Sequence, residues 1–465
     1  MPIRPTIRPL QFAARNPFRA PRLGLWRRGS YFPRRQISQL DHQTRDPSPV
    51  SGTSIDNEVL PSSSVVRKYN LPGRRVKSGY HSYFWNTSID DPSSPIEYYE
   101  TFSSNPLVTN RTWLRDACTC DRCVDSSSGQ KRFASTDIPP KIGISKIDVT
   151  ESGDLRVCWK DDFLYRETHV SVYPPTLWRH HTHHPVRPLP VLWTRDSLAA
   201  ASPYFDYESF MANGPEYRQA LQMLNKYGLV FLCGVPSSEE TVKRIASKIG
   251  IIQDTFYGTT WDVISKPDAE NVAYTNSFLG LHQDLLYMQN VPRIQILHCR
   301  KNTCEGGESL FSDGYRAAHE LRCRFPKMVK PLLERYVTYH YNKGGHSYQR
   351  SHSVLSRGMG MYWSPVFQKP IQPDNMTKEG MRRYMLWHDG ASHLKNILEL
   401  ETSVYEYKMR SGDCAIFDNR RLFHGRREFN TSSGERWLKG TYVESDSYES
   451  LMNALQLGST HVMDS

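Results

Sequence analysis

The sequence predicts an α+β protein that is mainly β, in which a small β-rich domain precedes a larger β-barrel or jelly roll decorated by helices. Three observations support this fold class. The 465 residues are 38% hydrophobic and 23% charged, which is enough to bury a sizeable core and excludes a disordered or fibrous protein. Short stretches that alternate apolar and polar residues, as strands do, recur along the chain. Helical segments lie between them, and we predict boundaries at residues 1–40, 41–105, 106–190 and 191–465.

The first segment, residues 1–40, carries nine Arg and no acidic residue. The rest of the chain holds 50 Lys and Arg against 48 Asp and Glu, so most of the net charge of +11 belongs to this segment. Its composition is typical of a mitochondrial transit peptide, which predicts the matrix as the location. A basic arm that binds nucleic acid or membrane is the alternative. Because the remainder is nearly neutral and no run of about 18 apolar residues occurs, we expect no nucleic-acid partner and no membrane insertion.

The second and third segments differ in composition. Ser, Pro, Asp and Asn dominate the start of residues 41–105, which predicts a linker that is largely disordered. Ile144–Val149 and Leu155–Trp159 show strand-like patterns within residues 106–190, which we predict to be a small β domain. A stretch rich in His and Pro, RHHTHHPVRPLP, ends this domain, and we interpret its four histidines as a solvated linker.

The large domain, residues 191–465, mixes short strands with helices. The apolar run from Tyr227 to Val235 is typical of a buried strand, and capping residues at Ser237–Glu240 predict that a helix begins there. Residues 377–402 have the pattern of a long helical insert. Further strands are predicted at Ile294–Cys299, Ser309–Phe311, Val337–Tyr341 and Ala415–Asp418.

Three of the nine cysteines crowd together in the small domain, at Cys118, Cys120 and Cys123, and His169 follows 46 residues after the last of them. Three thiolates and one imidazole form a closed tetrahedral set that suits structural Zn²⁺ and leaves no open position for catalysis. Three reduced thiols on a loop are the alternative. The other cysteines lie in apolar or strand-like runs, where we interpret them as small buried hydrophobes.

A second candidate metal site lies in the large domain. In His282-Gln283-Asp284, the first and third residues of a strand would point to the same face, so both could bind one metal ion. His424 lies just past a predicted strand and could complete a set of two His and one carboxylate, which is the ligand set of non-haem Fe(II) oxygenases. Arg436 could hold the distal carboxylate of a 2-oxoacid cosubstrate, although Arg426 and Arg427 compete for this role on spacing alone.

Four segments together resemble the gamma-butyrobetaine dioxygenase family of Fe(II)/2-oxoglutarate oxygenases, within the taurine-dioxygenase-like superfamily. They are HQDLLYMQNVPRIQILHC, EGGESLFSDG, FDNRRLFHGRR and RWLKGTYVESD, and the resemblance extends from about Pro106 to the C-terminus. It implies a double-stranded β-helix (jelly-roll) catalytic domain and a zinc-binding N-terminal domain. It further implies Fe(II) at His282, Asp284 and His424, 2-oxoglutarate at Arg436 and, more weakly, at Ser309, with ascorbate as the reductant. Relatives form dimers, so a homodimer is expected.

The resemblance also implies a substrate, because the known substrates of this family carry a trimethylammonium group. Aromatic faces hold such a cation by cation–π attraction, worth about 2 kcal/mol or more when desolvated. The positions that match are the cage aromatics Tyr257, Trp261, Tyr274 and Tyr442, together with Asn271 as a contact to the substrate carboxylate. The reaction implied is hydroxylation of gamma-butyrobetaine to carnitine, and trimethyllysine or another small molecule is the alternative substrate.

Two departures from the family pattern concern this pocket. Leu285 stands where the butyrobetaine enzymes have an aromatic residue after the metal-binding Asp, and Tyr287 follows two residues later. The segment MYWSPVF, residues 361–367, offers no Asn for a second carboxylate contact. Without the resemblance, the aromatics would be interpreted as core residues. Two other function classes stay open, a basic nucleic-acid-binding protein with a zinc module and a catalytically silent metal-binding relative.

Overall fold

The structure is a computed structural model, and it describes residues 76–78, 81–100, 107–164, 166, 168–180, 189–265, 272–371, 373 and 376–456. The predicted transit segment and residues 41–75 of the predicted linker lie outside these ranges. So do Asn271 and most of the His-rich stretch. Among the described residues, no helix combines the length and the apolar character that crossing a membrane requires.

An antiparallel sheet occupies the end of the predicted linker. Its strands pair in the order β1-β2-β3-β4, at Val76–Ser78, His81–Asn86, Ile96–Glu100 and Leu107–Thr109. The prediction of a largely disordered segment was therefore wrong for residues 81–100, where HSYFWN and IEYYE are rich in aromatic residues that favour strands. The buried Arg111 also fixes this segment, because its guanidinium donates to the carbonyls of Ser88 at 2.5 Å and Asp91 at 2.8 Å.

The predicted small β domain forms around a three-stranded antiparallel sheet, β5-β6-β7. Its buried apolar residues, which include Leu114, Trp159 and Tyr173, pack with one another into a cluster of their own. The Trp159 indole donates to Ser171 Oγ at 2.9 Å, so the one polar atom of this core ring is satisfied. The elements are α1 (Arg111–Asp116), a 3₁₀ turn (Ser135–Asp137), β5 (Gly143–Val149), β6 (Leu155–Lys160), β7 (His169–Tyr173) and α2 (Pro175–His180).

Two sheets build the core of the large domain. One has six strands in the order β10-β21-β12-β18-β9-β8, and the other has four in the order β11-β19-β14-β17. Both are antiparallel apart from the β8–β9 pair, and their aromatic residues meet between them, as in the edge-on contact of Phe231 with Phe311 at 5.8 Å. This is the predicted jelly roll. The strands are β8 (Tyr204–Asp206), β9 (Leu229–Cys233), β10 (Trp261–Ile264), β11 (Leu279–His282), β12 (Ile294–Asn302), β14 (Ser309–Asp313), β17 (Val404–Tyr407), β18 (Cys414–Asp418), β19 (Leu422–Arg426) and β21 (Arg436–Val443), with β13 (Glu305–Gly306) pairing β20 (Phe429–Asn430).

Helices cover the jelly roll. Five helices come from the first and last parts of the domain's sequence, and most of them bury apolar residues against the six-stranded sheet. They are α3 (Arg195–Ala201), α4 (Tyr207–Met211), α5 (Pro215–Tyr227), α6 (Thr241–Ser247) and α10 (Ser445–Gln456). The segment between β14 and β17 contributes a second layer, comprising α7 (Gly314–Arg324), α8 (Pro326–Glu334), the hairpin β15 (Tyr336–Lys343) and β16 (His346–Ser353), and α9 (Lys378–Glu399).

The predicted strands and the long helical insert are all present. The helix predicted after Ser237–Glu240 is α6, which begins at Thr241, but the predicted side-chain capping was wrong, because the N-cap residue Glu240 makes no such bond. Burial of Val242 and Ile245 against the sheet, rather than the preceding serines, therefore defines where this helix forms.

Candidate active site

The three predicted iron ligands lie together at the end of β11. His282 and His424 face each other as a register pair of β11 and β19, with ring centroids 4.3 Å apart. Asp284 follows two residues later, and its Oδ1 lies 3.2 Å from His282 Nε2 while its Oδ2 lies 3.8 Å from His424 Nε2. Neighbouring ligands of an octahedral ion at about 2.1 Å are about 3 Å apart, which the first of these distances matches, and all the ligand atoms lie within 4.8 Å of one another, so the set could bind one metal ion.

Hydrogen bonding and burial prepare these side chains for a metal ion. His282 Nδ1 lies 2.9 Å from the Gly280 carbonyl, to which its N–H donates, so that Nε2 is the atom left for the metal. Burial lowers the pKa of His424 to about 3, which keeps its imidazole neutral. Burial alone would raise the pKa of Asp284, but the neighbouring His424 and His282 outweigh it and hold this pKa well below its usual range.

One carboxylate oxygen of Asp284 accepts hydrogen bonds from two other side chains. Its Oδ2 accepts a hydrogen bond from Gln295 Nε2 at 2.8 Å and another from the Tyr442 hydroxyl at 2.7 Å. Gln295 and Tyr442 are opposite each other in the β12–β21 register, so side chains from two neighbouring strands donate to the same oxygen. Sequence reasoning missed Gln295, although a lone amide in the apolar run IQILHC was a signal that it has a polar partner.

The structure separates the three candidate arginines. Arg427 is about half exposed and pairs with Glu406 at 2.8 Å on the surface. Arg426 lines the cavity beside the metal ligands, but its guanidinium donates to the carbonyls of Ala273, Thr275 and Ser277. Arg436 lines the same cavity and is buried, with one hydrogen bond from its Nε to the Gly307 carbonyl at 3.2 Å. Its two terminal nitrogens make no hydrogen bond with the residues that the structure describes, which leaves them available for a ligand.

The cavity suits an anion next to the metal. Its lining contains two guanidinium groups, of Arg426 and Arg436, against one carboxylate, of Asp284. Burial lowers the pKa of Arg436 to about 10, so it is still protonated at neutral pH. Ser309 also lines this cavity and is the register partner of Arg426 in the β14–β19 pair. A dianionic 2-oxoacid that chelates the metal by one end fits this donor set.

Two of the predicted cage aromatics stack beside the metal ligands. Trp261 and Tyr442 have ring centroids 4.1 Å apart with an interplanar angle of 26°. The indole lies over Gly440, its register partner on β21, where a Cβ would stand 2.5 Å from the ring. Only glycine at position 440 therefore lets Trp261 lie flat against the strand that carries Tyr442.

The other substrate residues are less directly placed. Tyr257 is half-buried and packs against Phe256 at 4.0 Å between ring centroids, within an aromatic cluster that includes Tyr287. Tyr274 is buried in the 3₁₀ turn Val272–Tyr274, next to Ala273 of the cavity lining. Leu285 has a φ of +58° and turns its side chain into the core. Of the four predicted cage aromatics, Trp261 is among the residues that line the cavity, and Tyr257, Tyr274 and Tyr442 are not.

The Cys-rich cluster also fits a metal ion. His169 Nε2 lies 3.5 Å from Cys118 Sγ, 3.7 Å from Cys120 Sγ and 3.5 Å from Cys123 Sγ. An S and an N ligand on a tetrahedral zinc, at about 2.3 and about 2.1 Å, are about 3.6 Å apart. The four residues are thus already spaced for zinc, as the sequence predicts.

A buried arginine that sequence reasoning missed forms a hydrogen bond with this cluster. Arg115 is fully buried, donates to Cys123 Sγ at 3.2 Å and forms a two-bond fork with Asp162 at 2.6 and 3.1 Å. Its guanidinium also lies 5.1 Å from the Phe133 ring centroid and 5.0 Å from that of Phe163. Such an outer partner orients a ligand sulfur and balances its charge.

Comparison with known proteins decides the family. Residues 185–442, more than half of the chain, match the Taurine catabolism dioxygenase TauD, TfdA family. The chain belongs to the TauD/TfdA family. Residues 103–174 match the family described as Gamma-butyrobetaine hydroxylase-like, N-terminal, so the Cys-rich domain also has relatives.

Three curated relatives cover most of this TauD/TfdA-family chain. Dioxygenase str8 of Strobilurus tenacellus is 34% identical over 72% of this chain and 82% of its own. Gamma-butyrobetaine dioxygenase of Pseudomonas sp. (strain AK-1) is 28% identical over 78% of this chain and 97% of its own. Trimethyllysine dioxygenase of Meyerozyma guilliermondii is 26% identical over 81% of this chain and 97% of its own.

The protein is accordingly a 2-oxoglutarate-dependent dioxygenase with a jelly-roll catalytic domain. The resemblance that the sequence motifs predicted is confirmed. Neither a nucleic-acid-binding protein nor a bare scaffold is needed to explain the chain, because family and metal geometry agree on an oxygenase.

Proposed function

We propose that this TauD/TfdA-family dioxygenase hydroxylates an unactivated C–H bond of a small trimethylammonium acid, with gamma-butyrobetaine as the substrate and carnitine as the product. Trp261, which lines the cavity beside the metal ligands and stacks on the buried Tyr442, carries this proposal. A quaternary ammonium group has no N–H to donate, so a desolvated aromatic surface is the usual means of binding it. That surface adjoins the metal site, because the Tyr442 hydroxyl bonds to Asp284.

The roles of the residues follow from their positions. His282, Asp284 and His424 would hold Fe(II) and leave three positions free, while the terminal nitrogens of Arg436 would hold the far carboxylate of 2-oxoglutarate. Bound iron supplies the activation of O₂, in which 2-oxoglutarate is oxidised to succinate and CO₂ and one oxygen atom enters the substrate. The apolar lining from Val263, Leu297 and Leu438 would keep bulk water away from this chemistry. The protein's contribution is to position both substrates.

The substrate assignment is tested with a panel of acids that differ in one feature. The full chain is incubated with Fe(II), ascorbate, 2-oxoglutarate and either gamma-butyrobetaine, trimethyllysine or 5,5-dimethylhexanoate. The last acid has the shape of gamma-butyrobetaine but carbon in place of the charged nitrogen. Succinate release and a mass gain of one oxygen atom in the substrate are measured together.

We expect gamma-butyrobetaine to be hydroxylated and the neutral analogue to have a KM about 30-fold higher, since about 2 kcal/mol of cation–π attraction is lost. Equal KM values would show that the aromatic pair does not bind a cation. Turnover of trimethyllysine alone would make trimethyllysine the substrate, as the name of the relative from Meyerozyma guilliermondii says of that protein. His282→Ala is the control and should abolish turnover with every acid.

A further inference from the structure

Asn419 lies in the turn after β18 and makes an unusual set of contacts with a metal ligand. It is fully buried and 135 residues away from Asp284 in sequence. Its Oδ1 accepts a hydrogen bond from the Asp284 N–H at 2.8 Å, and its Nδ2 donates to the Asp284 carbonyl at 3.2 Å. The same Nδ2 also donates to the Pro292 carbonyl at 3.2 Å. The Asn419 amide thus forms hydrogen bonds with both the N–H and the carbonyl of Asp284.

The main chain at Asp284 depends on these bonds. Pairing of β11 with β19 ends at His282, so no strand in the described part of the chain pairs with the N–H and carbonyl of Asp284. Leu285 then adopts the left-handed conformation, with a φ of +58°, which costs a residue with a side chain roughly 1–2 kcal/mol. Strain of this kind persists only where surrounding contacts enforce it. The Asn419 amide supplies contacts that hold the turn in this form.

The neighbouring residue is held by the same turn. Gln283 is fully buried and donates from Nε2 to the Asn419 carbonyl at 2.9 Å. Its own N–H and Oε1 bond to the main chain of Trp363, both at 3.1 Å. The segment from His282 to Asp284 is therefore tied to the end of β18 as well as to its own sheet.

The consequence concerns the direction of the Asp284 carboxylate. Gln295 and Tyr442 occupy its Oδ2, so Oδ1 is the atom that faces His282 Nε2 at 3.2 Å. This orientation requires a fixed main chain as well as the two hydrogen bonds at Oδ2. We propose that Asn419 is a positioning residue of the metal centre, which holds the Asp284 main chain so that one carboxylate oxygen points at the metal.

The proposal is tested in the full chain with Mn²⁺ as the probe, which avoids oxidation and requires no organic substrate. Free Mn²⁺ is measured by electron paramagnetic resonance during titration of the wild type and Asn419→Ala. We expect Kd for Mn²⁺ to rise about 10- to 100-fold, as is typical when a partner of a metal ligand is removed. A Kd within twofold of the wild-type value in folded Asn419→Ala would overturn the proposal.

Ser312→Ala is the matched control. Ser312 on β14 is buried and donates its hydroxyl to the Leu398 carbonyl at 2.9 Å, so the variant loses a buried bond to main chain that involves no metal ligand. We expect it to lose thermal stability without a change in Kd for Mn²⁺. An equal loss of metal affinity in both variants would show that Asn419 acts only through general stability.

A second variant decides the matter if Asn419→Ala does not fold. Asn419→Asp keeps the size of the side chain and the acceptor for the Asp284 N–H, but it loses both donated bonds. Its second carboxylate oxygen would face the Asp284 and Pro292 carbonyls, so we expect a Kd above the wild-type value, and a wild-type Kd would contradict the proposal. Because the probe is Mn²⁺ alone, these results do not depend on whether the substrate is a trimethylammonium acid.

Discussion

Replacing Arg436 by methionine is expected to weaken 2-oxoglutarate binding by about 10²- to 10⁴-fold. The side chain is buried, donates once from Nε to the Gly307 carbonyl, and keeps two terminal nitrogens for a carboxylate. Hydrogen bonds to a charged group are worth roughly 1.5–3 kcal/mol each, and each 1.4 kcal/mol is about tenfold in Kd. Losing two such bonds gives the stated range. Arg436→Lys keeps the charge but not the fork, so we expect an intermediate loss.

The assay is calorimetric titration of 2-oxoglutarate into the Mn²⁺-loaded protein. Arg427→Met is the control, because Arg427 pairs with Glu406 on the surface and exposed pairs contribute little. Its Kd for 2-oxoglutarate should stay within about twofold of the wild-type value. A rise in Kd for 2-oxoglutarate of less than about threefold in Arg436→Met would refute the assignment, because the loss of two charged hydrogen bonds should raise Kd far more. An equal rise in Kd in Arg427→Met would refute it as well.

Three further outcomes are expected. Gly440→Ala should raise KM for the trimethylammonium acid in the succinate assay and cost about 1–3 kcal/mol in urea unfolding, because a Cβ there would stand 2.5 Å from the Trp261 ring. Arg115→Met should cost about 3–5 kcal/mol in the same unfolding measurement and speed zinc release to a chelator, because it leaves Asp162 buried and unpaired. A fusion of residues 1–40 to a fluorescent protein should enter mitochondria, as their Arg-rich, acid-free composition predicts.

Each of these predictions has a control or an outcome that would contradict it. Arg132→Met removes an exposed pair with Asp125 in the same domain and should change the unfolding free energy by less than about 1 kcal/mol. Normal KM in Gly440→Ala would mean that the flat position of Trp261 does not matter for substrate binding. A cytosolic fusion protein, or one whose import survives replacement of all nine Arg by Gln, would leave the basic-arm interpretation of residues 1–40 as the better one.

Much of the candidate site could be predicted from the sequence because its signals are local. His282 and Asp284 are two residues apart on or next to one strand, and three cysteines lie within six residues of each other. The limits appear where local patterns were weak. The strands of residues 81–100 were missed because a polar composition at the start of the linker outweighed two short aromatic segments.

Residues that support the ligands were harder to find. Gln295 and Asn419 bind no metal, and each contacts Asp284 only after β12 and β18 take their places in the sheet. An amide in an apolar strand indicates that a polar partner exists but not which residue it is. Arg115 is a similar case, since its partner Asp162 lies 47 residues away.

The sequence by itself determined the types of metal ligand, the jelly-roll class and the oxygenase family, because ligand spacing and strand periodicity are written within short segments. Spacing left three arginines open and the family resemblance implied Arg436, but only the tertiary structure separated them on physical grounds. Arg426, Arg427 and Arg436 are equivalent in chemistry, and their roles differ because sheet register buries two of them beside the metal and leaves one at the surface. The tertiary structure also placed Trp261 against Tyr442, because that contact depends on Gly440, the register partner of Trp261 on β21.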